Sequence, residues 1–223
     1  METCVPADTS LLAGIHIERL RGTAAYRDLP PTAKSLLESA GNADYVMLAS
    51  NGNDILLIAR GQFHGAPVPG AVLLSPALAL SGPPSAIQAA TAQHATGKTA
   101  SALLTRAGPI EGRDIWAVMR GGTPLPLISE PGNIGRLLRF ADYATLTATV
   151  SSTIEIQASA LCPNGDAARQ LEETLRGLIS LAAAAIRDTK QAALIRSIRL
   201  RRQDTTVDLE LSATMTALAG LLR

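Results

Sequence analysis

The feature that most constrains this chain of 223 residues is a tripeptide, Ala-Asp-Tyr, that occurs twice in the same context. It stands at residues 43–45 and again at residues 141–143. Each copy opens an alternating apolar stretch, a polar turn and a second alternating stretch. Alternation with period two, and a turn such as Asn51-Gly52, are typical of β-hairpins. The sequence therefore predicts two related hairpins and an internal duplication.

Predicted strands and helices surround both hairpins in the same order. An apolar strand precedes them at residues 11–17 and 115–119, and a helix follows them at residues 85–96 and 166–186. The fold class predicted from this order is α+β, with two tandem β-α-β-β-α repeats and mainly antiparallel sheets that carry helices on one face. A ferredoxin-like arrangement fits the order of elements. The repeats are assigned to residues 1–108 and 109–223.

Three further elements complete the prediction. In the first repeat a helix begins at Pro31 and ends at Gly41, and in the second Asn133 caps a short helix. A last hairpin turns at residues 204–205, and a terminal helix begins near residue 215. This turn places Arg201 opposite Asp208 and Arg199 opposite Glu210. The arginine-rich run 195–202 is therefore interpreted as a solvated strand face rather than a nucleic-acid patch.

Charge and composition argue against several classes of protein. Twenty basic and 19 acidic residues give a net charge of +1, which provides no field to attract nucleic acid. Aromatic residues are 3% of the chain and scattered, so no platform for stacking bases is predicted. No apolar run approaches the ~20 residues that span a bilayer, so no membrane span is expected.

The N-terminal sequence lacks the basic and apolar regions of a signal peptide. The chain as written is therefore predicted to be cytoplasmic. Removal of a signal segment would leave the same sequence, and an exported or envelope-associated location is the alternative.

The segment QHATGKT, residues 93–99, ends like a phosphate-binding loop. The motif G-x-x-x-x-G-K-[ST] requires a glycine five residues before Gly97, where the chain has Ala92. Such a loop also opens a helix, whereas residues 85–96 are predicted to form a helix that Gly97 ends. We predict no nucleotide site here and no cofactor. The glycine-rich residues 120–126 are interpreted as a plain connection.

No catalytic or metal-binding residue can be assigned from spacing. His16, His64 and His94 lack the nearby partners that a metal site on a strand or helix requires. The chain has no G-x-S-x-G elbow. Cys4 and Cys162 form no metal or redox motif, and their redox state is left open.

The stretches ADYVMLASNGNDILLIARGQF, RDIWAVMRGG and ADYATLTATV resemble uncharacterised bacterial proteins of duplicated α+β build, a domain of unknown function. The similarity covers most of the chain. These proteins are often associated with the cell envelope, so the resemblance implies an exported setting. It implies no activity.

A recognisable repeat without a recognisable site favours a non-catalytic binding or assembly module of unknown ligand. The alternative is a hydrolase whose catalytic groups converge from both repeats, with His16 or His64 as the base. A cleft that held either histidine beside an acid and a Ser or Cys would favour the hydrolase.

The two hairpins differ on one face. In the second hairpin this face is polar and should meet water, with Thr145, Thr147, Glu155 and Gln157. In the first it is apolar, and the candidate interaction face consists of Tyr45, Met47, Leu56 and Ile58. We expect it to be covered either by residues 68–80 of the chain or by a partner, which would be a second copy in a homodimer or another protein.

Overall fold

One antiparallel sheet of ten strands organises the protein in a computed structural model. The structure describes residues 1–27, 41–63, 70–123 and 137–221. The strands are β1 (Leu11–His16), β2 (Ala43–Ser50), β3 (Ile55–Gly61), β4 (Ala71–Ser75), β5 (Leu78–Ser81), β6 (Ile115–Arg120), β7 (Tyr143–Val150), β8 (Ile154–Leu161), β9 (Arg199–Gln203) and β10 (Thr206–Ala213). The helices are α1 (Ile17–Arg21), α2 (Ala24–Arg27), α3 (Pro84–Ala95), α4 (Leu103–Ala107), α5 (Gly165–Ala185), α6 (Thr189–Arg196) and α7 (Met215–Leu221), with a 3-10 turn at Glu2–Cys4.

The order of strands across the sheet is β4-β5-β3-β2-β1-β6-β7-β8-β10-β9. Every neighbouring pair is antiparallel. The predicted α+β class and the antiparallel sheet are confirmed. The tandem repeats, the ferredoxin-like arrangement and the boundary at residue 108 stay predictions.

Strands β1 and β6 join the two halves of the chain. Ala13 lies opposite Ala117 and Leu11 opposite Met119 in this pair. The expectation of a separate sheet in each repeat is therefore wrong. Pairing β1 with β6 satisfies main-chain groups that two separate sheets would leave at exposed edges. The expectation that each repeat carries helices on one face is wrong for the first half, where α3 and α4 pack on one face and α1 packs on the other.

Several local predictions are confirmed. The last hairpin has the predicted register, with Arg201 opposite Asp208 and Arg199 opposite Glu210. Asp204 takes φ +50° in its turn, a conformation that Asp tolerates better than most residues. Helices α3, α5 and α7 lie where the apolar spacing placed them. The helices predicted to begin at Pro31 and at Asn133 lie outside the described residues.

The face of the sheet that carries Tyr45, named here the Tyr45 face, is covered by the 3-10 turn, α3 and α4. Residues that pair across antiparallel strands point to the same side of a sheet, so this face includes Leu12, Trp116 and Val118. All three are fully buried in one cluster with Leu80. Because Trp116 and Val118 belong to β6, the core crosses from the first half of the chain to the second.

Gly14 on β1 lies opposite both Met47 and Trp116. A Cβ atom at this position would collide with Trp116 Nε1 and with Tyr45 Oη. The absence of a side chain therefore makes room for the two aromatic rings to meet above β1. Their contact joins β2 to β6 across the middle of the sheet.

The opposite face carries Leu146 and is named here the Leu146 face. Helix α1 packs there against β7 and β8, with Leu20 in contact with Ala148, Val150 and Ile154. Helix α5 packs against β8 and β10, where Leu171 lies in a cluster with Val207. Asn164 caps α5, since its Oδ1 accepts a hydrogen bond of 2.9 Å from the Ala167 amide.

We expect Gly14→Ala to destabilise the fold by about 3 kcal/mol, because a methyl group placed between two buried rings overpacks the core. Urea unfolding followed by Trp116 fluorescence measures the change. The matched control is Gly177→Ala on α5, where an added Cβ meets nothing within 4 Å. Alanine is the better helix former, so this variant should gain up to about 1 kcal/mol. Equal stabilities of the two variants would contradict the role given to Gly14.

Candidate functional site

The candidate interaction face is buried in the structure. Tyr45 is 6% exposed, Met47 and Leu56 are each 2% exposed, and Ile58 is 0% exposed. The 3-10 turn, α3 and α4 contribute Cys4, Ala90 and Leu103 to the same cluster, among other residues. These four residues are therefore core residues in this structure, and other parts of the chain cover them, which was one of the two expected alternatives. Each large apolar side chain buried in this way contributes about 1.5–3 kcal/mol to stability.

The segment expected to cover this face was misplaced. Residues 71–75 and 78–81 form β4 and β5, which extend the sheet sideways instead of lying over it. Leu80 still enters the core, because it faces the same side as Ile58. Residues 68–69 lie outside the described residues. Helix α3, which begins directly after β5, supplies the cover instead.

The polar face of the second hairpin meets water only in part. Glu155 and Gln157 are exposed, and Thr145 is half-buried. Thr147 is 9% exposed, so the expectation that it would meet water is wrong. It lies directly opposite Trp116, whose large side chain shares its side of the sheet.

The aromatic residues of the Tyr45 face form one polar cluster that runs from the core, at Trp116 and Tyr45, to the surface, at His16 and Arg60. Trp116 Nε1 donates a hydrogen bond of 3.1 Å to Tyr45 Oη. The centroids of the His16 and Tyr45 rings are 4.5 Å apart. The Arg60 guanidinium, on the neighbouring strand β3, lies 5.5 Å from the centroid of the Tyr45 ring. Burial raises the pKa of Tyr45 to about 12, although the hydrogen bond from Trp116 opposes this shift.

The described histidines are not placed for hydrolysis. His16 Nε2 is 2.9 Å from the main-chain oxygen of Glu111, and its ring contacts Tyr45. His94 Nδ1 is 2.8 Å from Thr3 Oγ1, on the surface. Neither is hydrogen-bonded to a carboxylate or a thiol within the described residues. His64, the other candidate base, lies outside them.

Groups that could hold a metal ion or react as thiols were sought in the same residues. No cluster of three or more His, Cys, Asp and Glu side chains occurs in the part of the chain that the structure describes. Cys4 and Cys162 are buried and unpaired, and burial raises the pKa of both thiols. None of the described helices is both long enough and apolar enough to cross a membrane.

The segment QHATGKT closes a helix, as predicted. Helix α3 ends at Ala95, and Gly97 takes φ +68°. Gln93 Nε2 donates a hydrogen bond of 2.6 Å to the main-chain oxygen of Lys98, which holds the turn. The helix points its C-terminal end at this loop, so the loop offers no helix N-terminus to a phosphate. Of the glycine-rich connection 120–126, residues 124–126 lie outside the described residues.

An apolar groove separates α5 from the Leu146 face and is named here the α5 groove. Its volume is about 250 Å³. The sheet contributes four alanines on β6, β7 and β8, with Leu146 and Leu209 between and beside them, and the opposite side of the groove consists of leucines. The alanines are Ala117, Ala144, Ala158 and Ala160, and the leucines opposite include Leu137, Leu171 and Leu175. A helix over a floor of methyl groups leaves space that larger side chains would fill. Leu146 remains 39% exposed at the opening.

Sequence reasoning missed this groove, although a signal was present. It assigned one face of the second hairpin to water and did not consider the size of the residues on the other face. Ala144, Ala158 and Ala160 alternate with polar residues on two neighbouring strands. Such a row of small residues beside an amphipathic helix is the pattern that predicts a cavity.

Glu172 fixes the position of α5 over the sheet. Its carboxylate accepts hydrogen bonds from Arg176 on the same helix, at 2.8 Å, and from Arg202 on β9, at 3.0 Å. The side chain is 17% exposed, although Glu172 lies away from the apolar stripe of α5 and its position alone predicts a solvated residue. The hydrogen bond from Arg176, and then that from Arg202, lowers the pKa of this carboxyl.

Comparison with known proteins identifies a shared fold and no family. No protein-family model matches the chain, and no curated protein matches it significantly. Crystal form I of the Treponema protein TP0453 is 10% identical with a TM-score of 0.56, over 99% of this chain and 95% of that one. Crystal form III is 12% identical with a TM-score of 0.55, over 99% and 96%. The likeness is consistent with the predicted bacterial resemblance, and envelope association stays a prediction.

We expect Tyr45→Phe to remove the last step of tyrosine ionisation. Tyr45 ionises near its raised pKa of about 12, and ultraviolet absorbance of tyrosinate measures the titration. Because its folded pKa exceeds the unfolded value of about 10, its stabilising contribution is complete below pH ~10 and is lost between pH ~10 and ~12. Circular dichroism recorded in parallel follows unfolding. An unchanged titration curve in Tyr45→Phe would contradict the assignment.

We expect Glu172→Gln to flatten the acid dependence of stability. A carboxyl with a lowered folded pKa stabilises the fold above its unfolded pKa of about 4.3, and this contribution is lost as the pH falls through the folded value. Chemical unfolding of wild type and variant between pH ~6 and ~3 measures the difference. Glu173→Gln, at the exposed next residue, is the control and should keep the wild-type slope. The same slope in Glu172→Gln would show that the two hydrogen bonds add no stability.

Proposed function

We propose that this protein is a non-catalytic binding module whose ligand places an apolar group in the α5 groove. The observation that carries the proposal is an apolar groove of about 250 Å³ that lies open beside an amphipathic helix. Apolar surface left in water costs about 25 cal/mol per Å², so an apolar group gains by entering it. An apolar cavity of ~150 Å³ already binds molecules such as benzene.

The chemistry of the lining favours a hydrocarbon group. Thr145 and Ser159 also border the groove, but strand alternation turns their side chains to the Tyr45 face. The remaining lining side chains are those of alanine, leucine, valine and methionine. Such a surface selects by shape and apolar contact, since it offers no side-chain hydrogen bond. The proposed ligand group is therefore an alkyl chain or a small ring system.

Two contacts keep the groove from closing. Leu171 packs against Val207 beneath the first half of α5, and Ala168 lies in the same cluster. Glu172 ties the helix to Arg202 on β9. The helix is thus held over the sheet from its N-terminal half, while Leu175 and Leu178, further along, remain half-buried.

The strand order supports an ancestral duplication behind this module. From the centre outwards, one half reads β1-β2-β3-β5-β4 and the other reads β6-β7-β8-β10-β9. In each half the strand of the central pair comes first in sequence, the hairpin follows, and the outermost two strands come last. Under the proposal, the second repeat kept a helix-covered groove on the Leu146 face, whereas helices came to cover the other face of the first repeat.

The alternative of a hydrolase gains no support from the described residues. His16 is engaged by a main-chain oxygen and by the ring of Tyr45. A general base must reach the proton that it removes, and Tyr45 is itself hydrogen-bonded to Trp116. The proposal therefore assigns the His16 cluster to the core. Association with a second copy or a protein partner is not part of it.

We expect the uncharged dye N-phenyl-1-naphthylamine to bind the protein and Ala158→Leu to weaken binding about tenfold. The added side chain occupies the floor of the groove, where Ala158 lies beside Leu146 and Leu209. Dye fluorescence as a function of protein concentration measures the affinity. Circular dichroism and urea unfolding establish that the variant is folded.

The matched control is Ala184→Leu, the same substitution at an exposed position of helix α5. It should bind the dye as the wild type does. Failure of the wild type to bind would contradict the proposal. So would an Ala158→Leu variant that is folded and binds with wild-type affinity.

A further inference from the structure

A second cavity lies on the Tyr45 face of the second half of the sheet, on the side opposite the α5 groove. Its volume is about 560 Å³. It is named here the polar concavity and is defined by Thr147, Gln157, Ser159, Arg201, Asp208 and Glu210. The pairing of β7, β8, β10 and β9 places these six side chains in adjoining positions on one side of the sheet.

The concavity begins where the helices end. In the first half, α3 and α4 cover the Tyr45 face and bury its apolar side chains. Ile110, in the connection from α4 to β6, forms the wall of the concavity on that side. Beyond it, none of the described helices packs on this face. A twisted sheet with a wall along one side forms a trough, and a volume of 300–1,000 Å³ is usual for ligand sites.

The side chains of the concavity are available to a ligand. Within the described residues, none of the six forms a side-chain hydrogen bond or an ion pair with the protein. Arg201 and Asp208 lie opposite each other on neighbouring strands, yet they are not within ion-pair distance. Hydroxyl, amide, carboxylate and guanidinium groups therefore face the same space without a protein partner.

Thr147 distinguishes this surface from an ordinary solvated strand face. Its side chain lines the concavity, although the residue is 9% exposed. None of the fully buried side-chain oxygens and nitrogens in the described residues lacks a partner. The Thr147 hydroxyl is unpartnered and so must open on the concavity. The hydroxyl is thus recessed but accessible, and a ligand group that enters the concavity can form a hydrogen bond with it.

The charges of the lining select the class of ligand. Arg201 lies opposite Asp208, and Arg199, just outside the lining, lies opposite Glu210 on the same face of the sheet, so the two charges of each sign balance and the concavity favours neither an anion nor a cation. Donors and acceptors alternate across it, and several are planar groups that can bond two neighbouring hydroxyls at once. We propose that the polar concavity is a binding site for a neutral polyhydroxylated ligand, a short saccharide.

This site is independent of the proposed function, because it lies on the opposite face of the sheet from the α5 groove. Aromatic side chains are absent from its lining, so sugar rings gain no stacking there. Hydrogen bonds to exposed groups are modest in net energy. The affinity is therefore weak, with a Kd on the order of 1 mM.

The test is a titration of the ¹⁵N-labelled protein with maltotriose, cellotriose and triacetylchitotriose, each to about 20 mM, a large excess over the expected Kd. For at least one of the three, amide shifts should saturate and fall on β7, β8, β9 and β10. Absence of shifts with all three overturns the proposal. Shifts that fall mainly on the amides of helix α5, or that scatter over the surface, overturn it as well.

Thr147→Val is the decisive variant, because it removes the hydroxyl and keeps the shape of the side chain. Saccharide affinity should fall about tenfold, while stability to urea should be unchanged or increased. Gln157→Ala should weaken binding as well and covers the case in which Thr147→Val fails to fold. Glu173→Gln, on α5, is the control. Wild-type affinity in both test variants would overturn the site, whatever the outcome of the dye experiment at the α5 groove.

Discussion

The contact between Trp116 and Tyr45 above Gly14 is the interaction on which the rest of this structure depends. It lies where β1 and β6 join the halves of the sheet, and it spans three strands. Trp116 and Tyr45 can meet only because Gly14 between them lacks a side chain. Their hydrogen bond satisfies two polar atoms that burial would otherwise leave without partners, so the junction is both dry and specific. The single sheet, and with it the existence of two complete faces, follows from this junction.

Once the sheet is continuous, residue size decides what each face can do. On the Tyr45 face of the first half, Met47, Leu56 and Ile58 are large enough to require a cover, and α3 and α4 provide it. On the Leu146 face of the second half, several of the side chains that face helix α5 are alanines, which are too small to reach it. A helix held above such a floor cannot fill it. The α5 groove is thus a consequence of small side chains beneath a fixed helix rather than of any unusual backbone.

The sequence predicted local structure well and long-range structure poorly, for physical reasons that individual elements show. The β9–β10 register was predicted correctly from the alternation of charged and apolar residues about the turn at Asp204, because both are local features of the hairpin. Helix α5 followed from its apolar spacing. The β1–β6 pair did not, since the choice of partner for a strand depends on contacts about a hundred residues apart. The need for a cover over Tyr45 was predicted, but the segment that provides it was not, because alternation within a hairpin cannot position α3.

Of the candidate sites, the sequence could have indicated the groove but not the concavity. A row of alternating alanines is visible in the sequence of β8, whereas Asp208 and Arg201 join Thr147 and Gln157 only through the pairing of β8 with β10 and of β10 with β9. The polar face of the second hairpin was predicted to be solvated. The alternation of apolar and polar residues shows which face of a strand is polar, but it does not show how the sheet curves. The concavity also depends on the position of Ile110, which lies where the helical cover of the Tyr45 face ends and forms the wall of the polar concavity. The same helices that fill the first half of the Tyr45 face thereby leave the second half open, and one sheet presents an apolar groove on one side and a polar trough on the other.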